Sequence, residues 1–344
     1  MPDVEYAGRQ ACTRCHIQKA RFHTGMENAL LMPKDSAVLR SHPRMTFRAG
    51  QYSYEISADS GQAFFKVTDG KQTILEPIAY VFGSAHVAQT YVLRRGGKLF
   101  EGRVSYYSGI DGLDWTIGDV LNSPPSLEEA LGRDIESDEA RNCFSCHGTS
   151  AVTNGKLDLS RLTMGASCEA CHGPGTKHIA AISSGSGETL YIFNPKVLDA
   201  DTLSQEFCGS CHRSADTVGM MPDLGGINNV RFQPYRMLNS RGHDSRDSHF
   251  RCTACHDPHV DLNQDAASYN SNCIGCHAPR MTANATTGKQ ISSKPTASRN
   301  GKTCPIASDQ CVSCHMPKIE LPGAHFKFTD HRIRIVRPGE KYPV

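Results

Sequence analysis

The chain has little of what an ordinary protein of 344 residues uses to build a core: 38% of its residues are hydrophobic, 7% are aromatic, and Trp115 is the single tryptophan. It has no run of eighteen apolar residues, which excludes a membrane-spanning helix. It has no long basic block, and 37 Lys and Arg against 35 Asp and Glu argue against a nucleic-acid partner. The start, Met-Pro-Asp-Val-Glu-Tyr, lacks the charged and apolar regions of a secretory leader. Cysteine is almost absent outside one pattern: fourteen of fifteen belong to it, and Cys304 alone stands apart.

That pattern is C-x-x-C-H. It occurs as Cys12-Cys15-His16, Cys143-Cys146-His147, Cys168-Cys171-His172 and Cys208-Cys211-His212, then as Cys252-Cys255-His256, Cys273-Cys276-His277 and Cys311-Cys314-His315. It is the attachment signature of c-type haem. Each thiol adds to one vinyl group, and the following imidazole becomes the proximal iron ligand. Zinc knuckles would need four ligands each, and seven pairs cannot all combine into four-cysteine sites. A histidine behind every pair has chance odds of roughly one in a billion. Thioredoxin-like redox motifs occur singly beside a βαβ pattern. The sequence therefore predicts seven covalent haem c groups.

Seven haems change the reading of everything else. About 49 residues per haem leave little room for a side-chain core, so the expected fold is mostly α with much irregular structure, wrapped round the porphyrins. The formal charge of +2 falls to roughly −5 oxidised and −12 reduced once propionates are counted. Lysines and arginines read as propionate partners and surface charge. Because bacterial c-type haem is attached outside the cytoplasmic membrane, the expected location is periplasmic or extracellular, with the signal peptide outside this numbering.

Residues 1–43 form the first haem segment, with a helix expected from Cys12 onward because no proline intervenes before Pro33. Residues 44–118 hold no cysteine. Tyr52, Tyr54 and Ile56, then Phe64, Phe65 and Val67, alternate up to the turn signal Asp69-Gly70. Tyr91–Leu93 and Leu99-Phe100 flank Gly96-Gly97, so this stretch reads as a β-rich insertion. Residues 119–142 read as a loop and a helix, and 143–344 carry haems two to seven, the whole forming one compact haem-packed unit. The polar stretch 282–301 reads as a surface loop.

Nine further histidines are candidate distal ligands: His23, His42, His86, His178, His243, His249, His259, His325 and His331. Seven low-spin haems need seven of them, so supply forces no iron to stay open. If its helix runs on, His23 lies about 10 Å along it from His16. His259 is too close in sequence to His256 to wrap that macrocycle. Both are therefore expected to ligate neighbouring haems. Met26, Met32 and Met316 read as packing, and Cys304 as a buried or loop thiol.

Several stretches resemble the multihaem cytochromes of the cytochrome c-554 type, especially heptahaem modules found fused to tetratricopeptide repeats. They are Tyr6-Ala-Gly-Arg-Gln-Ala-Cys, Phe82-Gly-Ser-Ala-His86-Val-Ala-Gln-Thr-Tyr, Cys168-Glu-Ala-Cys-His-Gly-Pro-Gly-Thr-Lys-His178 and Phe193-Asn-Pro. Cys252-Thr-Ala-Cys-His-Asp-Pro-His259, Cys311-Val-Ser-Cys-His-Met-Pro and Phe328-Thr-Asp-His331-Arg-Ile complete the set. The resemblance covers nearly the whole chain. It implies a mostly helical haem-wrapping fold and functional roles for His86, His178, His259 and His331. Two departures matter: no repeat domain follows Phe328-Thr-Asp-His331, and no C-x-x-C-K motif of the nitrite reductases occurs.

The function expected is an electron carrier, not an enzyme, passing electrons along closely spaced, mostly bis-histidine haems between extracytoplasmic redox protein partners. Two alternatives stand beside it. One is an oxidoreductase with an open iron acting on a small nitrogen or sulfur species. The other is a homo-oligomer stacked into a conducting filament.

Overall fold

The structure is a computed structural model and describes residues 5–20, 24–118, 124–186, 191–220, 226–277, 309–337 and 339–342. His23, Cys304 and the stretch 282–301 lie outside the described residues. The chain divides into two compact units. The first comprises Met1–Val197, His259–Asp261 and Glu320–Phe326; the second comprises Leu198–Pro258, Leu262–Ile319 and Lys327–Val344.

The first unit is built on one antiparallel sheet. Its strands are β1 (Leu30–Leu31), β2 (Arg44–Ala49), β3 (Tyr52–Asp59), β4 (Gln62–Thr68), β5 (Thr73–Phe82), β6 (Ala88–Arg95), β7 (Lys98–Tyr107), β8 (Gly112–Trp115) and β9 (Gly132–Asp134). β2 to β8 pair in sequence order, with β1 added to β5 and β9 to β7. A period of two dictates this. Tyr52, Tyr54 and Ile56 of β3 and Ala63, Phe65 and Val67 of β4 are buried, while the residues between them face outward. The β6–β7 turn takes Gly96-Gly97 at φ 56° and 82°, the left-handed pair a tight hairpin requires. The sheet curls until Trp115 of β8 meets Phe47 of β2 edge to face, ring centroids 5.4 Å apart.

The same unit also holds short helices: α1 (Arg9–Thr13), α2 (Ile17–Ala20), α3 (Ala37–Ser41), α4 (Leu127–Leu131), α5 (Ser137–His147), α6 (Cys168–His172) and α7 (Thr176–Ser183). The long helix expected from Cys12 does not form; Leu30 and Leu31 instead pair with Phe82 and Val81. The mostly α fold is likewise overturned. Of the described residues, helix of all kinds makes up 34% and strand 26%, and the dominant element is a nearly closed nine-stranded sheet. The reason is long-range: the alternating stretch recruits Leu30–Leu31 and Gly132–Asp134 from beyond its own bounds, and α4 adds Ala130 and Leu131 to its interior. The sheet thus has a hydrophobic core of its own.

The second unit is different. A π-helical stretch, Thr202–Cys208, runs into α8 (Gly209–His212), followed by α9 (Ala215–Gly219), α10 (Gln233–Leu238), α11 (Asn270–His277) and α12 (Cys311–His315). Among the described residues its buried apolar side chains are Ala200, Leu203, Val230 and Phe232 alone. Asn229, Arg236 and Asp330 are buried beside them. No helix among the described residues is long and apolar enough to cross a membrane.

Candidate haem sites

Every C-x-x-C-H motif sits on a single helical turn. At Cys12 and again at Cys252, the amides three and four positions on both bond the first cysteine's carbonyl: Cys15 at 3.2 Å and His16 at 3.0 Å, Cys255 at 3.2 Å and His256 at 3.0 Å. That turn puts residues i and i+3 on one face, where two thiols can meet two vinyl groups. α5, α6, α8, α11 and α12 each end on the motif histidine. Three motifs, at Cys12, Cys143 and Cys168, belong to the first unit; those at Cys208, Cys252, Cys273 and Cys311 belong to the second.

Three motif histidines are fixed by their second nitrogen. Nδ1 of His147 donates to the Ala29 carbonyl at 3.0 Å, that of His172 to Phe193 at 2.9 Å, and that of His315 to Arg334 at 2.8 Å. A carbonyl only accepts, so the proton of the neutral ring sits on Nδ1 and Nε2 carries the lone pair a metal would take. His256 is half-buried with its ring edge-on to Tyr269 at 5.4 Å, and burial holds its pKa below the usual value. His16, His212 and His277 are exposed.

Two candidate distal histidines face motif histidines. The rings of His172 and His259 lie 6.0 Å apart at 20°, and those of His256 and His331 lie 6.2 Å apart at 40°. Two imidazoles flanking one iron have axial nitrogens about 4 Å apart and ring centres about 6 Å apart. Both pairs fit. His331 also carries the proximal histidines' signature: its Nδ1 donates to Thr329 at 3.0 Å. Burial lowers its pKa to about 4, which keeps the ring neutral, as a ligand must be.

Five of the other candidates meet carboxylates. His42 has Nε2 3.1 Å from Asp111 and Nδ1 2.9 Å from Ser41. His325 has Nε2 2.6 Å from Asp114, and His243 has Nε2 3.0 Å from Asp201. His249 is 85% exposed with Asp247 at 3.2 Å, and exposed His86 stands 3.5 Å from Asp261. His178 is half-buried on α7.

In each unit the first cysteines of two motifs touch. The hydrogen bond between Cys12 and Cys168, together with burial, raises the Cys12 pKa; the same bond, working against burial, brings Cys168 down to about 6. Cys208 and then Ser204 hydrogen-bond Cys252 and bring it to about 7. The carboxylate of Glu169, buried inside the third motif, accepts the amides of Ala7 and Gly8 at 2.8 Å and of Gly175 at 2.7 Å. One side chain thus draws together the approach to the first motif, the third motif and the start of α7. The sheet that separates these motifs in sequence does not separate them in space.

Glu169, Arg236 and Asp330 were not marked by sequence reasoning as site residues. Glu169 and Asp330 carry one signal, adjacency to a motif cysteine and to His331; Arg236 carries none. Taken together, thiol pairs on single turns, imidazoles with Nε2 left for a metal, and rings an iron's width apart fit covalently held haem.

Residues 122–173, which contain the second and third motifs, match the family model for cytochrome c554 and c-prime. No curated protein matches the chain. Two solved structures are similar. The undecaheme cytochrome from the S-layer of Carboxydothermus ferrireducens is 18% identical with a TM-score of 0.45, covering 94% of this chain and 52% of that one. The outer cell wall cytochrome OcwA is 16% identical with a TM-score of 0.49, covering 97% of this chain and 80% of that one. The chain therefore spans about half the length of the undecaheme protein.

Proposed function

We propose that this chain, a multihaem c-type cytochrome in its motifs and its matched segment, carries electrons between redox proteins outside the cytoplasm through seven haems, most of them bis-histidine. The haems, when bound, supply one-electron carriage at potentials set by their axial ligands and surroundings. What the chain supplies is attachment, spacing and ligation. The observation that carries the reading is the pair of facing imidazoles, His172 with His259 and His256 with His331, each at the separation one iron requires. Histidine at both axial positions leaves a substrate no place to bind. The contacts Cys12–Cys168 and Cys208–Cys252 support close spacing, because each joins the attachment points of two motifs. The extracytoplasmic location rests on where c-type haem is attached.

A second reading, an oxidoreductase with one open iron acting on a small nitrogen or sulfur species, draws on the second unit. Its four motifs stand beside only three further histidines of its own, and His243 and His249 hold aspartates.

The test is direct. Intact mass should exceed the apoprotein by roughly 4.3 kDa, seven haem masses. His259→Ala should convert one haem to high spin without changing that mass. Carbon monoxide binding by the unaltered protein would favour the enzyme, and an unchanged spectrum in the His259 variant would overturn the ligand assignment.

A further inference from the structure

Arg236 is 1% exposed and Asp330 is fully buried, in a unit that buries few apolar side chains. Arg236 grips Asp330 with two parallel bonds, Nε to Oδ1 at 2.8 Å and Nη2 to Oδ2 at 3.0 Å. Its remaining Nη1 reaches Asn229 at 3.1 Å, and its guanidinium lies 4.7 Å from the Tyr342 ring centre. Asp330 also accepts Arg334 Nη1 at 2.7 Å and the Arg332 amide at 3.0 Å. A buried carboxylate with this many donors is fixed in place.

The segment it fixes is not neutral ground. His331, next in sequence, faces His256 at 6.2 Å. Its carbonyl accepts the Ser240 hydroxyl at 3.1 Å, and that same hydroxyl accepts the Ile333 amide at 2.8 Å. One residue on, Arg334 brackets His315: its amide donates to the His315 carbonyl at 3.2 Å, and its own carbonyl accepts His315 Nδ1 at 2.8 Å. Asp330–Arg334 is therefore a strap. One end presents a ligand to the fifth motif, and the other orients the histidine of the seventh.

We propose that Arg236 is a positioning residue for two haems at once, holding through Asp330 the strap that sets His331 opposite His256 and locks the tautomer of His315. The inference rests on the ligand reading above. A lone apolar neighbour would not do this work, because only a planar fork restrains both carboxylate oxygens and hence the direction of the strap. Loss of the fork would leave a buried carboxylate without its main partner, and the strap would shift to find water.

The experiment uses the holoprotein and four variants, Arg236→Met, Arg236→Lys, His331→Ala and, as a control in the first unit, His259→Ala. Haem count by mass comes first, then low-temperature EPR, carbon monoxide binding and a redox titration of the resolved haems. Arg236→Met is expected to keep seven haems, to gain up to one haem equivalent of high-spin signal, and to shift the potential of a second haem that stays low-spin. Arg236→Lys, with charge but no fork, should give part of that signal. His259→Ala should leave that second haem's potential unmoved. If His331→Ala goes high-spin while both Arg236 variants match the unaltered protein, the inference is overturned and the ligand reading stands. If His331→Ala is itself spectrally silent, the ligand reading fails first. Should Arg236→Met not accumulate, Arg236→Lys decides alone: a partial high-spin signal supports the proposal and an unaltered spectrum ends it.

Discussion

Among the described residues, the first unit buries Tyr52, Tyr54, Ile56, Phe65, Val67, Val81, Tyr91, Leu93 and Val104 in one continuous core, while the second buries Ala200, Leu203, Val230 and Phe232. The first unit carries three C-x-x-C-H motifs together with the nine-stranded sheet, and the second carries four without such a sheet among the described residues. A chain that buries so little cannot offset its conformational entropy from side chains alone. On the proposed reading the second unit would draw its core from the attached rings, as small metal-bound domains draw theirs from a metal. The first unit need not. If so, the same motif decorates a fold in one place and creates it in another.

The largest expected effect comes from withholding haem. Protein made without haem maturation should keep the strand signal of the first unit and lose the second to limited proteolysis, leaving a protected fragment that contains Leu30–Leu131. Uniform digestion, or equal protection of both units, would erase the distinction.

Next in size is a blow to the sheet itself. Phe65→Ala empties a fully buried site and should cost about 3–5 kcal/mol. Because Phe65 packs on Tyr54 within the sheet, haem count and low-spin spectrum should hold below the new melting point. A change in spectrum at full folding would tie the two regions together more closely than proposed.

Glu169→Ala probes the point where sheet-borne and motif-borne order meet. It leaves three buried or half-buried amides without their acceptor and should cost about 1–3 kcal/mol. Amide exchange should accelerate at Ala7, Gly8 and Gly175 before it does in β3 or β4.

The smallest effect is electrostatic. Arg44, with Lys66 behind it, holds the Glu55 carboxyl below its usual range. A carboxyl depressed on folding adds stability above its unfolded pKa of about 4.3 and loses it as pH falls through the folded value. Arg44 is 70% exposed, so Arg44→Ala should lower stability by about 0.2–1 kcal/mol at neutral pH and by almost nothing near pH 2. An equal loss at both would mean that packing, not charge, is being read.

The attachment motifs were legible because their chemistry requires contiguous residues, and the alternation from Tyr52 to Val67 because a half-buried strand has period two. What escaped was long-range. Nothing near Leu30–Leu31 says that it pairs with Phe82 and Val81 fifty residues on, so the stretch read as helix and the sheet as a minor insertion. Arg236 escaped for another reason: a lone arginine reads as surface, and its burial is decided by Asp330, 94 positions away. The facing of His259 and His172 was half legible. Its short tether to His256 forbade one partner without naming the other.

The contact between Cys12 and Cys168 has a consequence for the chain before any ring is attached. Each sulfur belongs to a different motif, and the two are hydrogen-bonded to each other. In an oxidising compartment such neighbours lose two electrons and two protons to an acceptor and close a disulfide. One such event would disarm two attachment sites, leaving a single thiol at each. The Cys208–Cys252 contact repeats the hazard in the second unit. If the motifs take up haem as proposed, maturation is a race: a reductant and the attaching machinery must reach these sulfurs while the chain is still open, before folding brings each thiol to its rival.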